Sequence, residues 1–202
     1  MRSMSDDHTH VQEFFTARAA DWDARFPDDA PVYAAAVAEL GLRAGGRVLD
    51  AGCGTGRALP PLREAVGPSG VVLGVDLTPA MLEAAVRAGR DRDGGLVLAD
   101  VAALPLRTES LDAVFAAGLI AHLPDPAANL RELARVVRPE GTLALFHPVG
   151  RAALAARQGR RLTPEDLRAE GNLGPLLARS GWRMISYVDE DERFLARAVR
   201  EA

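Results

Sequence analysis

Residues 48 to 57 read Val-Leu-Asp-Ala-Gly-Cys-Gly-Thr-Gly-Arg, an apolar strand that runs into a turn with glycine at every second position and out into a helical stretch. A glycine turn followed by a helix N-terminus brings bare backbone and unpaired N–H groups close to a ligand. Strand, turn and helix in this order are one unit of a layered α/β arrangement, although the turn by itself fixes neither the fold nor the ligand. The remaining pattern agrees. Apolar runs at Arg47 to Ala51, Val71 to Asp76, Leu96 to Ala99, Leu111 to Ala117 and Thr142 to Phe146 alternate with helical stretches at Arg57 to Val66, Pro79 to Ala88 and Pro126 to Val137. That alternation is the pattern of a parallel sheet covered on both faces.

The end of the chain changes character. Trp182 to Val188 and Arg193 to Val199 are strand-like runs joined by only Asp189 to Glu192, too short for a parallel crossover, so they form an antiparallel hairpin. At 202 residues the chain has room for one such domain. Two helices, Val11 to Ala24 and Pro31 to Leu42, precede the sheet, with a turn at Pro27-Asp28-Asp29 between them. Residues 1–30 are therefore expected to form a helical flap, and residues 31–202 the sheet domain.

Composition narrows the chemistry. All 24 basic residues are arginine, which excludes a Schiff-base lysine, a P-loop lysine and a Tyr-x-x-x-Lys reductase. A net charge of -4 and a pI near 5.6 argue against a nucleic-acid partner, since phosphate backbones select a basic surplus. No apolar run approaches the roughly 18 residues of a membrane span, and Met1 to His10 has no signal-peptide core. A cytoplasmic protein without membrane attachment is expected, and its lone cysteine, Cys53, provides neither a disulfide nor a metal cage.

Three acidic residues end the first three strands. Asp50 sits beside the glycine turn, where it repels a pyrophosphate and attracts an ammonium or sulfonium. Asp76 follows Gly54 by 22 residues, close to the ~20-residue offset at which a carboxylate accepts ribose hydroxyls. Asp100 is placed to accept from an adenine amine, or else serves only its own turn. A dinucleotide fingerprint has its third glycine one residue later than Gly56, and Arg57 in that place argues against a nicotinamide cofactor.

With these residues in place, the sequence resembles a class I S-adenosylmethionine-dependent methyltransferase of the small-molecule, type 11-like group. The resemblance is carried in order by VLDAGCGTG (Val48 to Gly56), GVDLTPAM (Gly74 to Met81), LADVAALPL (Leu98 to Leu106), SLDAVFAAGLIAHLPDP (Ser110 to Pro126) and LRELARVVRPEGTLAL (Leu130 to Leu145). It implies a doubly wound, mostly parallel seven-stranded sheet in the order 3-2-1-4-5-7-6, with S-adenosyl-L-methionine as cofactor and S-adenosyl-L-homocysteine as product. It implies that backbone at Gly52, Cys53, Gly54 and Gly56 meets the methionine moiety, that Asp50 and the Ala117 carbonyl hold its amino group, and that Asp76 grips the ribose. Leu77 and Met81 would sandwich the adenine, while Asp100 and the Val101 N–H read its edge.

The acceptor side is less defined by sequence. His122 and His147 follow the fourth and fifth strands at the edge where open sheets bind ligands, and both are candidates for a general base as well as for acceptor contact. Five of the ten aromatic residues fall in the first 33 positions, and of these Trp22 and Phe26 are placed either to wall an acceptor pocket or to pack on the sheet. The expected activity is methyl transfer to an O, N, S or C atom of a small molecule by in-line displacement, without a metal. A non-catalytic cofactor-binding regulatory module is the alternative, and a nicotinamide-dependent reductase stands behind it. Monomer and homodimer both remain open. The stretch from His147 to Gly181 is short for the resembled family and lacks a long lid insertion, so the sequence does not establish how the acceptor pocket is enclosed.

Overall fold

The computed structural model describes residues 4–25 and 29–202. Its centre is one seven-stranded sheet: β1 (Arg47–Ala51), β2 (Val71–Asp76), β3 (Gly95–Leu98), β4 (Leu111–Ala117), β5 (Val137–His147), β6 (Trp182–Glu190) and β7 (Arg193–Arg200). Their order is β3-β2-β1-β4-β5-β7-β6, parallel from β3 through β5 and antiparallel at β5–β7 and β7–β6. This is the topology expected from the sequence.

The helices are α1 (Met4–Thr16), α2 (Trp22–Arg25), α3 (Ala30–Glu39), α4 (Leu59–Val66), α5 (Pro79–Arg87), α6 (Pro126–Val136), α7 (Arg151–Arg157) and α8 (Glu170–Ala178). Side chains alternate across the central strands and separate two cores. On one face Leu49, Val114 and Leu143 pack with Leu130 and Leu133 of α6, Leu173 and Leu177 of α8 and the fully buried Trp182. On the other, Val48, Phe115, Ala144 and Phe146 pack under Val37 of α3 and Leu59 and Leu62 of α4. Local chemistry sets the ends of these elements. Asp125 caps α6 by accepting from the Ala128 N–H at 2.9 Å, with Pro126 in the first turn.

Several boundaries shift by one to three residues from the sequence reading, and three differences are larger. The expected Val11–Ala24 helix is broken. Helix α1 ends at Thr16, where Arg18 donates to the Phe14 carbonyl at 2.8 Å and stacks 3.7 Å over the Phe14 ring, and a 3-10 turn at Ala19–Asp21 leads into α2. Strand β5 starts at Val137 rather than Thr142, because a bulge opposite Leu111–Ala113 lets the chain pair with β4 on both sides of the irregularity. The stretch after β5 also holds two helices, α7 and α8, where no element was expected. Among the described residues no helix is long and apolar enough to cross a membrane.

Neither core cluster draws a residue from 4–25. Asp29, in contrast, is ion-paired with the largely buried Arg57, so a cut that spares the sheet belongs before it. Deleting residues 1–25 is expected to leave a single cooperative thermal transition within about 5 °C of the full chain. Loss of cooperativity in that melt would make the N-terminal helices part of the sheet domain.

Candidate functional site

Strand β1 positions the first functional side chain by its alternation. Asp50 shares a face with Val48, the face that α3 and α4 cover, so a carboxylate stands where the pattern otherwise places an aliphatic residue. It is 1% exposed, and among the described residues neither of its oxygens has a hydrogen-bond partner. Burial, and then the nearby Asp76 carboxylate, push its pKa up to about 8. A buried carboxyl without such partners is a candidate site group, chemically suited to a cation or a hydrogen-bond donor.

The turn after β1 closes on Asp76. Its Oδ2 accepts from the Gly54 N–H and its Oδ1 from the Thr78 N–H, both at 2.8 Å. Each oxygen keeps a second acceptor position. Burial raises the Asp76 pKa against these two backbone bonds, which lower it. Asp100 also serves its own turn, through an Oδ1 bond from the Ala102 N–H at 2.8 Å. Cys53 is buried with its thiol pushed well above the usual range by desolvation, which suits packing and not nucleophilic attack.

A cavity of about 680 Å³ opens above these strand ends. Asp50, Gly52, Cys53, Gly54, Asp76 and Leu77 line it together, as do Met81, Asp100, Val101 and Ala117. Gly56 does not. At φ +78 it closes the turn through its N–H to the Cys53 carbonyl at 2.8 Å, and a Cβ there would meet Leu59 Cδ1 at 2.9 Å. Gly54, at φ +54, is different: a Cβ there would meet nothing within 4 Å, so its missing side chain leaves room in the cavity itself.

His122, His147 and Trp22 line the same cavity, whereas Phe26 lies outside the described residues. The Phe15 ring centroid is 5.1 Å from that of His122 and 5.6 Å from that of Trp22. Burial holds His122 low, with the Arg168 charge second, and brings His147 down to about 4. His147 Nδ1 lies 2.8 Å from the Val149 carbonyl and 3.1 Å from its N–H. The N-terminal helices reach the glycine turn by polar contacts. Gln12 donates to the Leu77 carbonyl at 2.8 Å, and Asp23 accepts from the Thr55 hydroxyl and pairs with Arg90, each at 2.7 Å.

The short stretch after β5 does contribute to enclosure, because residues 158 and 160–163 and 165–168, between α7 and α8, wall the cavity. Sequence reasoning also passed over Tyr33 and Arg57, which line it too. Arg57 is held by Asp29 and lies 5.9 Å from the Tyr33 ring centroid. The signal for Arg57 was its place directly after the glycine turn.

The two glycines should therefore separate in experiment. Gly54→Ala is expected to cost about 1 kcal/mol of stability, the strain of a left-handed Cβ, and to weaken cofactor binding at least tenfold. Gly56→Ala is expected to destabilise the fold by more than this, through strain together with the Leu59 clash. Urea melts and titration calorimetry on both variants check the ranking.

Comparison with known proteins gives the geometry its context. Residues 49–145 match the family described as a methyltransferase domain. Nocamycin O-methyltransferase from Saccharothrix syringae is 38% identical over 110 residues, covering 53% of this chain and 39% of that one. Methyltransferase GfsG from Streptomyces halstedii is 32% identical over 167 residues, 76% of this chain and 59% of that one. The chain thus spans about two-fifths to three-fifths of the length of these curated relatives. The crystal structure of a SAM dependent methyltransferase from Aquifex aeolicus superposes with a TM-score of 0.69 at 27% identity, covering 86% of this chain and 89% of that one. Sheet order, turn geometry and these matches agree: residues 49–145 are a methyltransferase domain, carried on the sheet topology of the class I S-adenosylmethionine-dependent methyltransferases.

Proposed function

We propose that this chain transfers a methyl group from S-adenosyl-L-methionine to a small-molecule acceptor. The observation that carries this reading is Asp50, a buried carboxylate with two unpartnered oxygens on the wall of a cavity that Gly54 keeps open. A dinucleotide phosphate does not suit that wall, whereas an ammonium does. Asp50 and the Ala117 carbonyl take the amino group of the methionine moiety, and the backbone of Gly52, Cys53 and Gly54 lies along it. Asp76 uses its second acceptor positions for the ribose diol. Leu77 and the buried Met81 flank the adenine, and Asp100 with the Val101 N–H meets its edge. That nocamycin O-methyltransferase and aklanonic acid methyltransferase DauC stand among the relatives supports a small-molecule acceptor.

The bound cofactor supplies a methyl group already activated by a positively charged sulfur. The chain's own task is to place an acceptor atom in line with it and to keep water out, which Phe15, Trp22 and the 158–168 loop do from the walls. His122 and His147 are held neutral at physiological pH. When His147 donates its Nδ1 proton to the Val149 carbonyl, Nε2 carries the lone pair that receives a proton from the acceptor. Replacing Asp76 with Ala is expected to weaken binding of S-adenosylhomocysteine by roughly 1.5–3 kcal/mol, the scale of bonds to a charged acceptor. Unchanged affinity in a folded variant removes Asp76 from the ribose.

The Asp50 shift gives a pH dependence of definite sign. With its pKa near 8 the carboxyl is mostly protonated at neutral pH, and a bound ammonium favours the ionised form. Binding therefore releases a proton at pH 7, and affinity rises with pH toward 8 by up to about tenfold per unit before levelling. Calorimetry in two buffers of different ionisation enthalpy measures the proton directly. Zero proton release at pH 7 sinks the role given to Asp50. Tight cofactor binding without turnover on any acceptor would favour the regulatory module instead.

A further inference from the structure

The charges around the cavity are unevenly placed. Its strand-end wall carries Asp50, Asp76 and Asp100, the side suited to a cationic cofactor. The loop between α7 and α8 brings Arg160, Arg161 and Arg168 to the wall, against Glu165 and Asp166. Asp166 is shared. Arg151, which does not line the cavity, holds its Oδ2 at 3.2 Å, while Arg168 reaches its Oδ1 only at 3.6 Å. Arg151 also pairs with Asp189 at 3.2 Å. Guanidinium charge is thus in excess on this wall, and the Arg168 side chain is 12% exposed, held inside the protein and not spread into solvent.

Rings stand beside this charge. Arg168, His122 and His147 line the same cavity, and the His122 ring abuts Phe15, which abuts Trp22. A guanidinium in a partly dry wall recognises a carboxylate by two parallel hydrogen bonds, and flat aromatic walls favour a flat guest. Resting on the methyl-transfer reading above, we infer that the acceptor is an aromatic compound bearing a carboxylate, its ring against Phe15 and Trp22 and its charge beside Arg168 and Arg161. The cofactor and the acceptor then enter one cavity with opposite charges, each on the wall of opposite sign.

The full chain saturated with S-adenosylhomocysteine and titrated calorimetrically with 2-naphthoate and with its neutral counterpart 2-naphthalenemethanol tests this. Naphthoate is expected to bind at least about tenfold more tightly, with the preference falling as salt is raised. Arg168→Gln should reduce that preference to less than about threefold without altering S-adenosylhomocysteine affinity. Arg161→Gln, at an exposed position, should reduce it in the same direction and guards against misfolding of the first variant. Equal affinity for the two probes, no binding of either, or a preference that survives both substitutions overturns the inference while leaving methyl transfer intact. Failure of S-adenosylhomocysteine itself to bind overturns both.

Discussion

The unsolvated carboxylate of Asp50 is the constraint on which the site depends. A folded chain of this size is stable by a narrow margin, and a buried acid without a partner works against that margin whenever it ionises. Folding keeps it because the strand that carries it is central, paired with β2 on one side and β4 on the other. Shifting it would mean slipping β1 by a residue and turning Val48 and Leu49 to the wrong faces. The sheet thus fixes a carboxylate that no described group satisfies, and on the proposed reading the ammonium of the cofactor does so.

Around that point the parallel strands act as a collector. Their carboxyl ends bring Asp50, Asp76 and Asp100 to one rim, and backbone N–H groups of Gly54 and Thr78 orient Asp76 before any ligand arrives. Pre-orientation of this sort lowers the ordering cost of binding. The turn itself divides its labour: Gly56 is needed by the protein's own packing, and Gly54 by what lies above.

What was legible in the sequence follows from the same physics. Strands β1, β2 and β4 could be bounded to the residue because a parallel strand buried on both faces is a continuous apolar run with polar ends. The start of β5 was hidden by Pro139 and Gly141, which read as a loop and instead sit in the strand's irregular first half. Helix α8 escaped because Gly171, Gly174 and Pro175 argue against a helix, and its Leu173, Leu176 and Leu177 form only because they bury against the sheet. The strand-end acids could be found by spacing alone. Arg57 could have been found by its place directly after the turn, whereas Tyr33 and the arginines of the 158–168 loop could not, since they reach the cavity through tertiary contacts between segments far apart in sequence.

The hold of the N-terminal helices on the glycine turn has a kinetic side. Gln12 bonds the carbonyl of Leu77, and Asp23 bonds Thr55 and Arg90, so the attachment is made by a few polar groups that water can replace at small cost. Apolar burial contributes little there, with Ala19 buried but Phe14 left 40% exposed. A segment fastened in this way is expected to detach without loosening the sheet, because opening breaks a few polar contacts and leaves both core clusters whole. On that reading, exchange at the cavity answers to charge and hydrogen bonding at its rim, and its rate is expected to rise with ionic strength.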